Sequence, residues 1–139
     1  MIKVLVLCTG NSCRSQMAEG FLRHYAGEMK KDASIFSAGI EAHGLNPNAV
    51  KIMAEAGIDI SGHQSETMDK YQDEVIDIVI TVCDNAKESC PVLPGVKTIH
   101  HSFPDPAGAT GTEEEVMGAF RSTRDQIDSF CQKFIEELA

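Results

Sequence analysis

Apolar residues dominate Ile2–Leu7, interrupted only by Lys3, and a run that short reads as a strand buried on both faces. The spacing then turns helical over Ser15–Ala26, with Met17, Phe21 and Tyr25 near one face. Ser34–Ala38 predicts a second, short strand. Asn46-Pro47 has the composition of a helix start, Asn as cap and Pro at the first helical position, and that helix should run to about Ala56 and stop at Gly57. Ser65–Tyr71 predicts a short helix. Val75–Val82 is the strongest strand signal in the chain, β-branched and almost continuous, and Val96–His100 predicts a fourth strand. Thr112-x-x-Glu115 is a capping box for a last helix whose apolar stripe is Val116, Phe120, Ile127, Phe130, Phe134 and Leu138. Strands alternating with helices predict an α/β fold: a four-stranded parallel sheet with helices on both faces. A site in such a fold lies at the carboxyl ends of the strands, here where the first strand turns into its helix.

The 139 residues suit a single domain spanning 1–139. A net charge of -9 with no basic stripe argues against a nucleic-acid partner. No apolar run approaches the roughly 18 residues of a membrane helix. The stretch before Cys8 is too short for a secretory signal, so a cytoplasmic protein is expected. Five cysteines, at 8, 13, 83, 90 and 131, are an odd number, which speaks against a fixed disulfide framework and for thiol chemistry.

Cys8-Thr9-Gly10-Asn11-Ser12-Cys13-Arg14-Ser15 carries the candidate chemistry. A thiolate is a strong nucleophile and forms readily at a helix N-terminus beside a cation. Backbone N–H groups of such a loop form an anion-binding nest, and Arg14 adds a planar fork for two anion oxygens. Gly10 and Asn11 suit left-handed conformations. The bland alternative is an ordinary strand-to-helix turn with a buried Cys.

Cys83 falls just past the strongest strand, on the same rim, and Cys90 lies seven positions later. Were that segment helical throughout, the two would stand about 10.5 Å apart at ~1.5 Å per residue. A disulfide tolerates roughly 7 Å between Cα atoms. Pro91 also biases Cys90 away from helical geometry. A bridge therefore requires a loop or an unwinding, the mark of a redox switch. Two unrelated buried thiols are another reading. A zinc pair completed by His100 and His101 is a third, although its thiol spacing is loose and adjacent strand residues point to opposite faces.

Cys-x5-Arg-Ser resembles the phosphate loop of the low-molecular-weight protein tyrosine phosphatase fold, and CTGNSCRSQMAEG is similar to its arsenate reductase branch. The resemblance continues through SAGIEAHGLNP, CDNAKESCP and FPDPAG, covering essentially the whole chain. It implies Cys8 as nucleophile, an oxyanion held by Thr9, Gly10, Asn11, Ser12, Cys13, Arg14 and Ser15, and Asp105 of Asp105-Pro106 as general acid. For that role Asp105 needs a raised pKa, from partial burial and the anion's charge; alone, Asp-Pro is usually a turn. Ser15 is placed to donate to the Cys8 thiolate. Asn11, Glu19 and Ser37 match positions where some members of the branch bind potassium, but this chain offers Gln64 and Glu66 where those members have Thr and Asp. Cys13 reads as packing, with a protective disulfide to Cys8 open to it under oxidation, and Cys131 as core or partly exposed.

The resemblance implies a relay in which Cys8, Cys83 and Cys90 reduce arsenate to arsenite without an organic cofactor. Expected partners are arsenate and thioredoxin, or another dithiol or thiol reductant, with the chain acting as a monomer. The alternatives are a tyrosine phosphatase and a non-enzymatic oxyanion module. Against the first, Ala107 and Gly108 give no aromatic wall, and Tyr25 and Tyr71 are the only tyrosines. Against the second, a carrier has no use for a general acid.

Overall fold

Strand β1 (Ile2–Cys8) takes the centre of the sheet because both of its edges and both of its faces are used. It pairs in parallel with β2 (Ala33–Gly39) along its whole length, Ile2 opposite Ala33 and Cys8 opposite Gly39. On its other edge Val4–Leu7 pair with β3 (Ile78–Thr81), which pairs in turn with β4 (Lys97–His100). The order is β2-β1-β3-β4, all parallel. Side chains alternate between faces, so the burial of Val4, Leu5, Val6 and Leu7 together shows that both faces of β1 are covered. Each such side chain contributes about 1.5–3 kcal/mol of burial. The computed structural model describes residues 2–71, 73–83 and 96–138. Among them no helix is long and apolar enough to cross a membrane.

Helix α1 (Arg14–Glu28) begins one residue earlier than expected and packs against α2 (Pro47–Glu55) and α3 (Glu113–Glu137). Gly20 permits the first contact: a Cβ there would stand 2.8 Å from Ile60 Cγ2 and 3.0 Å from Met53 Cε. Arg124 ties α3 to α2, donating to the Ile52 carbonyl and the Glu55 carboxylate, each at 3.0 Å. Tyr25 of α1 donates to Asp128 of α3. The buried positions of α3 are Phe120, Thr123, Arg124, Ile127, Cys131 and Ile135, so the stripe is rotated from the expected one. Val116, Phe130 and Phe134 are only partly buried, and Leu138 is buried past the helix end. The rotation follows from the polar members: Arg124 enters the core because Ile52 and Glu55 satisfy it there. Cys131 is fully buried, its thiol donating weakly to the Ala18 carbonyl at 3.7 Å.

Two expectations were too long. Strand β3 spans Ile78–Thr81 within the predicted Val75–Val82, the four residues that pair with Val4–Leu7 of β1. Asp77 and Val82 donate to the carbonyls of Lys3 and Leu7 at its two ends, and Val75 is left 76% exposed. Only Met68–Tyr71 of the predicted Ser65–Tyr71 helix is helical, as one 3-10 turn. The preceding backbone is engaged elsewhere: Glu66 N–H donates to Asn11 Oδ1, and the Glu66 carbonyl accepts from Gly39.

Asn46 caps α2, accepting from the amides of Asn48 at 2.8 Å and Ala49 at 3.4 Å. Replacing Asn46 by Ala should destabilise the fold by about 1 kcal/mol, measured as a lower urea midpoint at unchanged slope.

Candidate active site

Residues 8–13 link β1 to α1, and every carbonyl along them has a partner outside the loop's concavity. The Cys8, Thr9, Gly10 and Ser12 carbonyls accept from the amides of Ile40, Glu41, His43 and Asn46 at 3.3, 2.9, 2.9 and 3.0 Å. The Asn11 carbonyl accepts from Gln16 Nε2 at 3.2 Å, and that of Cys13 from Met17 N at 2.8 Å. In a trans peptide the N–H points opposite to the C=O, so fastening the carbonyls outward turns the amides inward. The result is a nest of donors at a helix N-terminus, suited to a tetrahedral oxyanion.

Asn11 takes the left-handed conformation expected of it, with φ 47°. Gly10 does not. Its lack of a side chain serves close approach instead, since a Cβ would sit 2.3 Å from His43 Nδ1. Gly39 is a residue the sequence reading missed. A Cβ there would lie 2.3 Å from the Glu41 carbonyl oxygen and 2.8 Å from both Asn11 N and Thr9 O. Its only sequence signal is its place in the SAGIEAHGLNP string, whose backbone fastens the loop.

Arg14 enters the site from the first turn of α1, its side chain only 12% exposed. Nη1 donates to the Phe103 carbonyl at 3.1 Å, and Nη2 stands 3.5 Å from Asp105 Oδ2. Among the described residues its buried Nε has no hydrogen-bond partner, a donor held ready for an anion. Asp105 reaches the same rim after β4, as expected. Its side chain is half-buried, 50% exposed, and caps the Pro106–Gly108 turn by accepting from Ala107 N at 3.0 Å.

Cys8 is 3% exposed, and Cys83 is buried beside it. Thr9 Oγ1 and Cys83 Sγ share a hydrogen bond of 3.2 Å. A hydrogen bond with Cys83 and then burial push the Cys8 thiol well above its ordinary range, with the Arg14 guanidinium pulling the other way. His100 Nδ1 is bound to Thr81 Oγ1 at 2.7 Å, and His101 stacks on Phe103. Cys90 lies outside the described residues.

Ser15 is buried, and its Oγ accepts from Asn11 Nδ2 at 2.8 Å, which leaves the hydroxyl proton for a second acceptor. Asn11 Nδ2 also donates to Ser37 at 3.1 Å, Ser37 to Glu19 Oε1 at 2.7 Å, and Glu19 Oε2 pairs with Arg23 at 3.1 Å and His63 at 3.4 Å. Asn11 Oδ1 accepts from Glu66 N at 2.8 Å and Gln16 Nε2 at 3.0 Å. Gln64 contributes its carbonyl to Gln16, and the Glu66 carboxylate pairs with Lys70 at 2.9 Å. These residues as placed do not fit a potassium ion. Asn11 presents a donor to Ser37, and the Glu19 carboxylate already accepts from Ser37 and pairs with the Arg23 cation. Gln16, fully buried at the centre of this web, was also not anticipated.

Residues 3–139 match the low molecular weight phosphotyrosine protein phosphatase family. The chain is 51% identical over 134 residues to an arsenate reductase of Bacillus subtilis, covering 96% of this chain and 94% of that protein. Among solved structures, it is similar to an arsenate reductase in the phosphate-binding state, with a TM-score of 0.78, 31% identity and full coverage of both chains. It is also similar to the low molecular weight protein tyrosine phosphatase of T. tengcongensis, with a TM-score of 0.83, 26% identity and coverage of 99% and 100%.

The two strongest features of the site each give an expected outcome. Gly39→Ala must displace backbone of the nest, an overpacking cost of about 1–3 kcal/mol. Phosphate affinity by calorimetry should then fall by roughly tenfold or more. Cys83→Ala removes the leading cause of the raised Cys8 thiol, so the pH at which Cys8 becomes reactive to iodoacetamide should move down. An unmoved midpoint would show that the neighbouring thiol does not hold it.

Proposed function

This chain belongs to the low molecular weight phosphotyrosine protein phosphatase family, and within that family we propose that it is an arsenate reductase working through a Cys8, Cys83 and Cys90 thiol relay. The observation that carries the reading is the second thiol. Cys83 is buried against the nucleophile and bonded to Thr9 of the same loop. A phosphatase resolves its phosphocysteine with water and has no use for a thiol there. The arsenate reductase relatives support the same substrate.

In this mechanism arsenate sits in the nest, bound by the inward amides and by the Arg14 fork, whose buried Nε supplies a donor. The Cys8 thiolate attacks arsenic, an As–O bond breaks, and Asp105 protonates the departing oxygen, which leaves as water. Arg14 favours the thiolate, and Ser15 can donate to it. Cys83 then attacks Cys8 sulfur. The S–S bond forms as the S–As bond breaks, and the bonding pair stays with arsenic. One disulfide made accounts for the two electrons that take As(V) to As(III), and arsenite leaves. Cys90 attacks Cys83, moving the disulfide to Cys83–Cys90, and a dithiol protein resembling thioredoxin reduces it. The relay uses no organic cofactor, and a reducing cytoplasm suits its resting thiols.

Replacing Cys8 by Ser should abolish arsenate reduction and any hydrolysis of aryl phosphate, because the hydroxyl does not ionise near neutral pH. Replacing Cys83 by Ser should stop arsenate reduction yet spare aryl phosphate hydrolysis, which draws only on Cys8, Arg14 and Asp105. Arsenite release with thioredoxin as reductant measures the first activity and phenol release the second. Sustained arsenite release by the Cys83→Ser variant would remove the relay and favour a phosphatase.

A further inference from the structure

Cys13 occupies the N-cap of α1 but does not behave as a cap. Residues at this position usually accept from the second or third helical amide, whereas the Cys13 side chain makes no capping bond. A capping oxygen would occupy the amides that the nest presents to an anion, while a thiol is a weak acceptor and leaves them available. The sulfur reaches across to the other side of the site and donates to Asp105 Oδ1 at 3.9 Å. It remains a donor at neutral pH. Burial, followed by the Asp105 carboxylate, pushes the Cys13 thiol up to about 11.

The contact divides the two Asp105 oxygens by role. Oδ1 accepts from Ala107 N at 3.0 Å and, over a longer contact, from the Cys13 thiol at 3.9 Å, whereas Oδ2 faces Arg14 Nη2 at 3.5 Å. With Oδ1 engaged by these two donors, Oδ2 is the oxygen left facing Arg14 and the oxyanion cradle, where a departing oxygen would meet it. A half-exposed aspartate also rotates unless something holds it. We propose that Cys13 is a positioning residue for Asp105: its thiol fixes Oδ1, so that the transferable proton is carried on Oδ2, the oxygen beside Arg14 and the oxyanion cradle. This rests on the reading of Asp105 as the general acid. It gives a role to a thiol that the relay does not use.

Cys13→Val and Cys13→Ala both remove the donor and keep a small apolar residue in the buried site. They differ in volume, so a packing effect would separate them and loss of the donor would not. The first step is followed as single-turnover loss of thiols after saturating arsenate, alongside KM and inhibition by phosphate. Both variants should lose about tenfold in rate, part of the 10²–10⁴-fold typical of a general acid. KM and phosphate inhibition should stay within about twofold. Adding either change to Asp105→Asn should cost less than about twofold more, since the two residues act through one group. Unchanged rates in both variants, or the same tenfold loss recurring on top of Asp105→Asn, would overturn the role of Cys13 while leaving Asp105 in place. A loss below about threefold in Asp105→Asn alone would overturn the general-acid assignment, and the proposal with it.

Discussion

The outward fastening of the loop carbonyls is the constraint on which the rest of this structure depends. A loop of six residues has as many acceptors as donors, and left to itself it would present both to an anion. Here the chain after β2 runs alongside the loop and binds the Cys8, Thr9, Gly10 and Ser12 carbonyls with its own amides. Gln16 takes the Asn11 carbonyl. Peptide planarity then fixes the inward face as donors only. The chemistry at Cys8 is thus prepared by residues 40–46, which contribute no reactive group of their own.

That arrangement demands close approach of two backbones, and it is secured by buried polar groups. Gly39 and Gly10 make room for the approach, at points where a Cβ would meet another atom at 2.3 Å. Asn11, in the left-handed conformation, distributes its amide between Ser15, Ser37, Glu66 and Gln16. The side chains of this web pair with one another, and leaving a buried donor or acceptor of it unpaired would cost about 1–3 kcal/mol. The web therefore holds one loop geometry sharply. It also takes in Glu19, which accepts from Ser37 and pairs with Arg23.

Two thiols and one guanidinium compete over the nucleophile. Cys83 and burial hold the proton on Cys8, while Arg14 favours its loss. The same contact that raises the Cys8 thiol brings the Cys83 sulfur beside it, the juxtaposition on which the proposed relay rests. Proximity for the second step is thus set against ease of the first. Cys13 lies on the far side of Arg14 and keeps its proton, donating to Asp105. Three cysteines in one small site therefore differ in environment because they differ in neighbours.

Local signals in the chain determined the elements and the identity of the reactive groups. The apolar run of Ile2–Leu7, the Asn46-Pro47 start and the Thr112 box each act through near neighbours, so each was readable, as were Cys8, Arg14 and Asp105 from their spacing in motifs. Element ends were less so. Strand β3 stops where β1 stops pairing with it, and the segment before Met68 is committed to Gly39 and Asn11, partners distant in sequence. Only the tertiary structure decided that Gly10 serves approach, not left-handed geometry, that Arg124 is buried, and that Gly39 and Gln16 support the nest. It alone placed Cys83 against Cys8, where their hydrogen bond and burial raise the thiol against the pull of Arg14. The reason is physical: residue type and spacing fix which groups can react, but a pKa or a close approach depends on what the folded chain brings alongside.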